Sequence, residues 1–444
     1  MSISKKILLA SLLLLLPASL IFSNGSAEAG AAPADGSGKS GTITVLAEPF
    51  EAAGMEAVMA EYQKIHPGVK LETIIATDTN NKDTVLTAKI AANDLPDMIC
   101  TQVKSNIGEY AKNGYIIPLT ESGIQDALIL GDQSLLWRDG EFYAFPTQVS
   151  TSGIFVNMDV LNEKNISLDT MPQSLGEFIE LCESLQAAGI ERPLAIGAKE
   201  ESPVTAFVFQ YVYQNVYGED PNWYANVLRG KTGWNGPEFS KTFNAYAKLK
   251  PFVNKDALGT DKNGAIRKFV LGEAAFYIDT SASLTNFRRI DPEMNISFIA
   301  PPFADDPADM KAITSFDNAF SITSQAKDPE LCMDFLKFMA TPEQHAVFSK
   351  ATSFMPTIQG TQVELDPALT LMIEALSSGM DSVPMLSRQW IPGIKEMMKT
   401  ETQNWFAGKE AQIVCDTIEK EHQRLMKANP SYVSDFLDNY TDIE

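Results

Sequence analysis

The chain has 444 residues, 45% of them hydrophobic and 9% aromatic, which is more than one compact core accommodates, so two lobes are expected. With 57 acidic against 35 basic residues the formal charge is −22, a field that repels nucleic acid and anionic membrane surfaces. It also weighs mildly against anionic ligands, although a local basic pocket would override it. Four scattered cysteines (Cys100, Cys182, Cys332, Cys415) sit in apolar contexts without a CxxC pair, and His66, His345 and His422 are far apart. Neither a metal site nor a cofactor is expected, and no spacing nominates a disulfide.

Met1–Ala29 reads as a secretory signal: Lys5 and Lys6, an apolar run Ile7–Ile21, then small residues around Ala27-Glu28-Ala29. The run is shorter than the ~20 residues of a membrane span, and no cysteine near it would accept a lipid. Its removal takes away Lys5, Lys6 and Glu28 and leaves a charge of −23. Gly30–Gly41 is Gly/Ala/Ser-rich, a flexible tether.

Thr42–Ala47 is a β-branched first strand, and Met55, Val58, Met59, Tyr62 and Ile65 then recur at helical spacing up to His66-Pro67-Gly68. Val69–Ile75 is the next strand, which makes a β-α-β unit. Thr84–Ala92 is helical, Leu95–Cys100 leads into a third strand, and Ile107–Asn113 is a short helix. The stretch Asp139–Asn157 (DGEFYAFPTQVSTSGIFVN) combines a tight turn, a short aromatic strand, Pro146, a polar run and a second strand. Because Pro146 has no N–H to give a ladder, either the chain changes sheets at Thr147–Ser152 or the stretch is a hairpin within one domain.

Ser174–Ala188 is an amphipathic helix ending at Gly189, Leu194–Ile196 a strand, and Val204–Tyr217 an aromatic-rich helix. Phe239–Leu249 and Gly264–Val270 are helices, and Ala274–Ile278 is a strand that runs into Asp279-Thr280-Ser281. Ile296–Ile299 and Ala319–Ile322 are strands around a Pro/Asp-rich loop. Helices follow at Pro329–Met339, Pro342–Phe348, Ala368–Ser377, Pro392–Ala407 and Gln412–Ala428, without an internal repeat. No GxSxG, HExxH, Walker A or GxGxxG occurs in usable context, so an enzyme is not expected, although abundant carboxylates leave a glycosidase-like pair open.

The segments FEAAGMEAVMAEYQKIHPGVKLE, LPDMI, GYIIPLT, DGEFYAFP, FVNMDVLNE, MPQSLGEFIELCESLQAAGI, FVLGEAAFYIDTS and AFSITSQAKDPELCMDFLKFMATPEQ occur in one order along nearly the whole chain. Their order resembles the extracellular solute-binding protein family 1 of ABC importers, the maltose-binding-protein-like group of sugar receptors. Asp279-Thr280-Ser281 departs from the family's Gly-Ser-Trp, Ser174-Leu175 from its Thr-Trp, and the lipid-box cysteine is missing. The resemblance implies a two-lobed α/β periplasmic binding protein fold, each lobe a mostly parallel sheet flanked by helices and joined by hinge strands. The expected crossings are Thr147–Ser150, Asp279–Ser281 and Thr323–Lys327, giving an N-terminal lobe of 42–147 and 281–326 and a C-terminal lobe of 148–280 and 327–444. It further implies an exported, monomeric protein that closes over a mono- or oligosaccharide and meets the transmembrane subunits of an ABC permease. A polyol or small organic ion is the alternative ligand, and a secreted carbohydrate-active hydrolase the alternative class.

A sugar is recognised by hydrogen-bonding side chains and aromatic platforms, which in open α/β sheets gather at strand C-termini. Those places hold Glu48 and Phe50 after the first strand, Thr101 and Gln102 after the third, and Gln148, Ser150 and Thr151 at the first crossing. Asp279 and Ser281 stand at the second crossing, Asp317 and Asn318 before a strand, and Lys199 after a strand of the second lobe. Glu48 and Asp279 would equally serve as helix-start residues. Trp234 and Trp390 lie in loop-like contexts and are the expected stacking platforms, whereas Trp223, Trp405 and the aromatics of Phe207–Tyr217 read as core.

Overall fold

The computed structural model describes residues 38–77, 79–104, 106–129, 133–168, 171–440 and 442, so the expected signal Met1–Ala29 and most of the Gly30–Gly41 tether lie outside it. Strand β1 (Ser40–Ala47) leads into helix α1 (Pro49–Tyr62), which starts at a capping box: the Glu48 N–H donates to Glu51 Oε2 at 2.8 Å. Met55, Val58, Met59 and Tyr62 are buried as their spacing predicts, but the helix ends at Tyr62 and leaves Ile65 56% exposed. Strand β2 (Gly68–Ile75), helix α2 (Thr79–Ala92), strand β3 (Met98–Gln102), helix α3 (Asn106–Lys112) and helix α4 (Ile124–Ala127) follow. Strands β4 (Trp137–Arg138) and β5 (Glu141–Phe142) form a hairpin whose turn residues Asp139 (φ 51°) and Gly140 (φ 82°) are both left-handed, as a two-residue hairpin turn requires.

Strands β6 (Phe145–Pro146) and β7 (Val149–Asn157) come next, then helices α5 (Met158–Glu163) and α6 (Leu175–Ala187), strand β8 (Leu194–Ala195) and helix α7 (Glu201–Tyr211). A π-helical stretch, Val212–Val216, joins α7 to α8 (Tyr217–Glu219), followed by α9 (Trp223–Leu228), α10 (Pro237–Leu249) and α11 (Lys262–Val270). Strand β9 (Phe276–Thr280), helix α12 (Leu284–Ile290) and strands β10 (Ile296–Ile299), β11 (Ala312–Phe316) and β12 (Asn318–Ile322) complete the sheets but for one short piece. That piece, β13 (Ser382–Val383), falls among the late helices α13 (Pro329–Met339), α14 (Pro342–Thr352), α15 (Thr370–Ser377), α16 (Ile394–Phe406), α17 (Ala411–Ala428) and α18 (Pro430–Asn439).

Two mixed sheets organise these elements. The first has the order β2-β1-β3-β12-β6, parallel through β3 and antiparallel where β12 joins. In the second, β7 pairs antiparallel with β9, β10 and β11, while β8 and β13 add in parallel at its margins. Helices on both sheets give the two-lobed α/β fold that the resemblance implies, with mixed rather than mostly parallel sheets. All four cysteines are free and buried. Among the described residues no helix is long and apolar enough to cross a membrane.

Sheet membership revises where the chain passes between lobes. The first passage is at Thr147–Gln148, because β6 belongs to the first sheet and β7 to the second. At Asp279–Ser281 there is no passage: β9 and β10 both pair with β7, so the chain returns to the sheet it left. The return to the first sheet is at Asp317, between β11 and β12, ahead of the expected Thr323–Lys327. Helix α14 then packs on α1, and α13 on β1 and β12, so 327–352 stays with the first lobe, whereas β10 and β11 within 281–326 belong to the second. The two passages run side by side, with the Asp317 N–H donating to the Gln148 carbonyl at 2.9 Å and the Thr147 N–H to the Asn318 carbonyl at 3.1 Å.

Candidate functional site

Strand ends from both sheets meet where the chain crosses, and they floor a cleft of about 230 Å³. Gln102 reaches it from β3, Ser150 and Ser152 from β7, Asp279 and Thr280 from β9, and Asp317 from the passage itself. Ser150 and Ser152 share it because alternate residues of a strand face one side. Helices supply the walls: Thr205, Phe209 and Gln210 from α7, Tyr213 from the π-helical stretch, and Lys395 and Lys399 from α16. Irregular helical turns of this kind recur at functional sites, since the extra residue re-aims a side chain.

Asp317 is held on two sides: Arg388 Nη2 donates to its Oδ1 at 2.7 Å, and Gln102 Nε2 approaches the same oxygen at 3.4 Å. Arg388, 8% exposed, also donates to the Phe316 carbonyl. The Ser387 hydroxyl accepts from Tyr213 at 2.6 Å, and burial pushes the Tyr213 phenol up to about 12, so it stays neutral at physiological pH. Asp279 accepts from Ser283 Oγ at 2.7 Å and pairs with Lys262 Nζ at 3.1 Å, which holds that ammonium above the usual lysine range. Lys395 is depressed to about 8 by burial first, then by the neighbouring charges of Arg388 and Lys399.

Behind the lining stands a layer of unpaired polar groups. Among the described residues, Thr101 Oγ1, Thr147 Oγ1, both ends of the Gln148 amide, Thr151 Oγ1 and Asn318 Oδ1 are buried without a hydrogen-bond partner. Each such group costs roughly 1–3 kcal/mol when it finds no partner, so groups of this kind beside a cleft are open to ordered water or to a ligand.

Of the residues expected from sequence, Gln102, Ser150, Asp279 and Asp317 converge on the cleft, and Thr101, Gln148, Thr151 and Asn318 lie in the buried layer. Others fall elsewhere. Ser281 donates no lining to this cleft; its hydroxyl accepts from the Thr151 N–H at 3.3 Å, and it borders a separate cavity with Phe354 and Met355. Glu48 is buried in an ion cluster in which Lys82 Nζ lies 3.0 Å from Glu48 and 3.3 Å from Glu51. Phe50 packs against Phe354 at 5.4 Å, and Lys199 is exposed outside the lining. Both expected platforms are core: Trp234 is 0% exposed, with Trp223 at 4.8 Å and Trp390 at 4.9 Å, and Trp390 donates its Nε1–H to the Tyr217 hydroxyl at 2.8 Å. A ring enclosed on both faces has nothing left to offer a ligand, and half-buried Phe209 is the more open aromatic ring in the lining, beside Tyr213, which is 3% exposed.

The residues that sequence reasoning missed are the helix-borne ones, above all Arg388, Lys395 and Lys399. Two lysines one turn apart on an amphipathic helix look like a solvated face, and only the packing of α16 on α7 turns that face inward. Among the described residues no group of three or more His, Cys, Asp or Glu is placed to hold a metal.

Two α/β lobes joined by adjacent passages, with a polar cleft at the junction, define a solute-binding protein. The chain belongs to the bacterial extracellular solute-binding protein family, whose family model matches residues 47–346. It is similar to the melibiose/raffinose/stachyose-binding protein MelE of Bacillus subtilis (strain 168), with 22% identity over 317 residues, 69% of this chain and 71% of that one. Among solved structures it resembles a chitin oligosaccharide binding protein (TM-score 0.74, 20% identity, 87% of this chain and 99% of that one). It also resembles the apo form of RafE from Streptococcus pneumoniae (TM-score 0.74, 18% identity, 86% of this chain and 97% of that one).

Proposed function

We propose that the protein is the exported receptor of an ABC importer, which takes a mono- or oligosaccharide into the cleft between its lobes and delivers it to the transmembrane permease subunits. The observation that carries this reading is a cleft lined by amides and hydroxyls, from Gln102, Ser150, Ser152, Thr205, Gln210 and Ser387, around the half-buried ring of Phe209. Sugar hydroxyls both donate and accept, which matches amides and hydroxyls better than it matches an apolar pocket. The names of the relatives supply independent support, since MelE and the chitin oligosaccharide receptor are named for oligosaccharides. Closure would turn on Thr147–Gln148 and Asp317, with the ligand stabilising the closed arrangement through contacts that the open one lacks.

The test is a thermal-shift screen of the protein against neutral and charged mono- and oligosaccharides, polyols and small organic ions, with the sugars recovered and analysed afterwards. A ligand at a hundredfold over its Kd adds ~2.7 kcal/mol, roughly 3 °C in a chain of this length. A saccharide that gives a dose-dependent shift and is recovered intact is the expected outcome. Shifts confined to polyols or organic ions would replace the sugar with another solute, and a shortened sugar would make the protein a hydrolase.

A further inference from the structure

Within a chain of 57 acidic and 35 basic residues, three cations, Arg388, Lys395 and Lys399, line a single cleft. The two carboxylates lining the same cleft are already engaged. Asp317 takes Arg388 at 2.7 Å, and Asp279 takes Lys262 at 3.1 Å together with the Ser283 hydroxyl. Two ammonium groups are therefore in excess. Lys399 has Glu396 at 3.7 Å, but that carboxylate is 66% exposed and so a weak partner. Lys395, half-buried, forms no hydrogen bond or ion pair among the described residues; its ammonium lies 5.8 Å from the Phe209 ring and feels the carboxylates of Glu396 and Asp317 only at a distance.

Lys395 and Lys399 stand one helical turn apart on α16, so their side chains share a face and repel each other. Burial and that repulsion together press on Lys395, which is lowered to about 8. Across the cleft, Gln210 on α7 is 2% exposed and its Oε1 is unpartnered, an amide available to a polar ligand beside the two ammonium groups. Two like charges held together against a low-dielectric wall are arranged to receive a negative charge, and every element needed for it comes from the walls of one cavity. At about 230 Å³ the cavity is smaller than the ~300–1,000 Å³ typical of sites for drug-sized ligands, which suits one charged sugar residue with any further residues lying beyond it.

Resting on the reading of this cleft as the sugar site, we propose that its ligand is an acidic saccharide whose anionic group docks on Lys395 and Lys399. A carboxylate, as in a uronic acid residue, and the phosphate of a sugar phosphate share the chemistry required. The positive walls also override, locally, the repulsion that the chain's overall charge exerts on such a ligand.

Isothermal titration of the intact protein with three sets of ligands tests this: uronates and their oligomers, hexose phosphates, and the neutral sugars of the same ring configuration. The expected result is binding of one acidic set at least tenfold tighter than its neutral counterpart, the worth of about one charge-assisted hydrogen bond. The acidic set that binds identifies the anion. In K395M/K399M that preference should fall by roughly tenfold or more, and K395R, which keeps the charge, should restore part of it relative to K395M. Circular dichroism and the melting temperature of each variant verify that the fold is kept. Neutral sugars binding as tightly as acidic ones, with K395M/K399M unchanged, would overturn the anionic ligand and leave the sugar receptor standing. Inorganic phosphate binding as tightly as any sugar phosphate would remove the sugar from the proposal. No binding by any of the three sets would remove the sugar-receptor reading itself, and this inference with it.

Discussion

Trp390 and Lys395 are a few residues apart in sequence and lie in opposite kinds of surroundings. Trp390 is 3% exposed, surrounded by Trp234 at 4.9 Å, Phe209 at 5.8 Å and Tyr213 at 6.4 Å, with its Nε1–H bound by Tyr217. Lys395 opens onto a cleft of serines, glutamines and charged groups. Between the two, the chain passes from an aromatic core that encloses the Trp390 ring and pairs its Nε1–H to a wall where charges are in excess. The aromatic residues that sugar chemistry would ask for were used to build the second lobe, and the polar, charged residues that look like surface were used to build the site. Each region accordingly makes its own demand on substitution: the core on stability, the cleft on ligand.

The largest effect expected is at Trp234. Its ring is 0% exposed and packs edge-on against Trp223, Phe239 and Trp390. Trp234→Ala should therefore cost about 3–5 kcal/mol, read from the urea midpoint. Trp390→Ala should cost a similar amount, since it also strands the Tyr217 hydroxyl. If Trp390→Ala kept wild-type stability but lost ligand binding, the ring would belong to the site and the comparison would fail.

Next comes acid. His345 and His422 are both 0% exposed, one in α14 of the first lobe and one in α17 of the second, and burial lowers each to about 4 from 6.5. The unfolded chain takes up these protons at higher pH than the folded one, so the stability of the neutral form is complete above about 6.5 and is lost as the pH falls toward 4. At the lower limit each histidine accounts for roughly 3 kcal/mol. His422→Gln should flatten the pH dependence of the urea midpoint between pH 6.5 and 4, ahead of carboxylate titration. An unchanged slope would mean that the ring is not held neutral.

How far the sequence anticipates this molecule depends on which kind of boundary is asked about. Helix α13 has the limits its pattern predicts, because Asp328 caps it, Pro329 starts it and the apolar spacing is regular. Gln102, Ser150, Asp279 and Asp317 line the cleft, and the sequence pointed there for a related reason: the first three follow or end a β-rich run, Asp317 precedes one, and strand ends are where a cleft lies. The passage at Thr147–Gln148 was marked by Pro146. Asp279–Ser281 misled because a strand end looks the same whether the chain then leaves the sheet or doubles back to it; only the pairing of β10 with β7 decides. Trp390 misled because RQWIPG has no periodicity, while the partners that bury it, Tyr217, Tyr213 and Trp234, come from distant parts of the chain. Lys395 and Lys399 were invisible as site residues because a helix face is polar for solvent and for ligand alike, and the packing that tells them apart is tertiary.

At Asp317, a cleft residue held by a nearly buried ion pair, stability and site coincide. Its side chain is 15% exposed and that of Arg388 7%, and the guanidinium also holds the Phe316 carbonyl. Removing one partner of such a pair leaves a nearly buried charge unpaired, so Asp317→Ala should cost about 2–3 kcal/mol, somewhat below the ~3–5 of a fully dry pair. Arg388→Met in the same chain should recover part of the loss, since the charge that suffers is then gone. A double variant no better than Asp317→Ala would mean that the loss does not come from the unpaired Arg388 charge but from the other contact of the carboxylate, the Gln102 amide.

The smallest effect is the one that separates the two regions most sharply. Lys395→Met removes a charge that repels Lys399 one turn away, and replaces a long stem beside Phe209 with another of similar length. Like charges at that spacing cost a helix roughly 0.2–0.5 kcal/mol, so the urea midpoint should stay where it is or rise slightly, against the several kcal/mol expected at Trp234 a short distance away. The thermal shift given by the protein's own ligand should shrink in the same variant, because a group that does not hold the fold together is free to serve the ligand. If Lys395→Met instead destabilised the protein by more than about 1 kcal/mol, the ammonium would be part of the scaffold that packs α16 onto α7. The line between an aromatic core that makes the lobe and a charged wall that makes the site would then have to be drawn on the other side of α16.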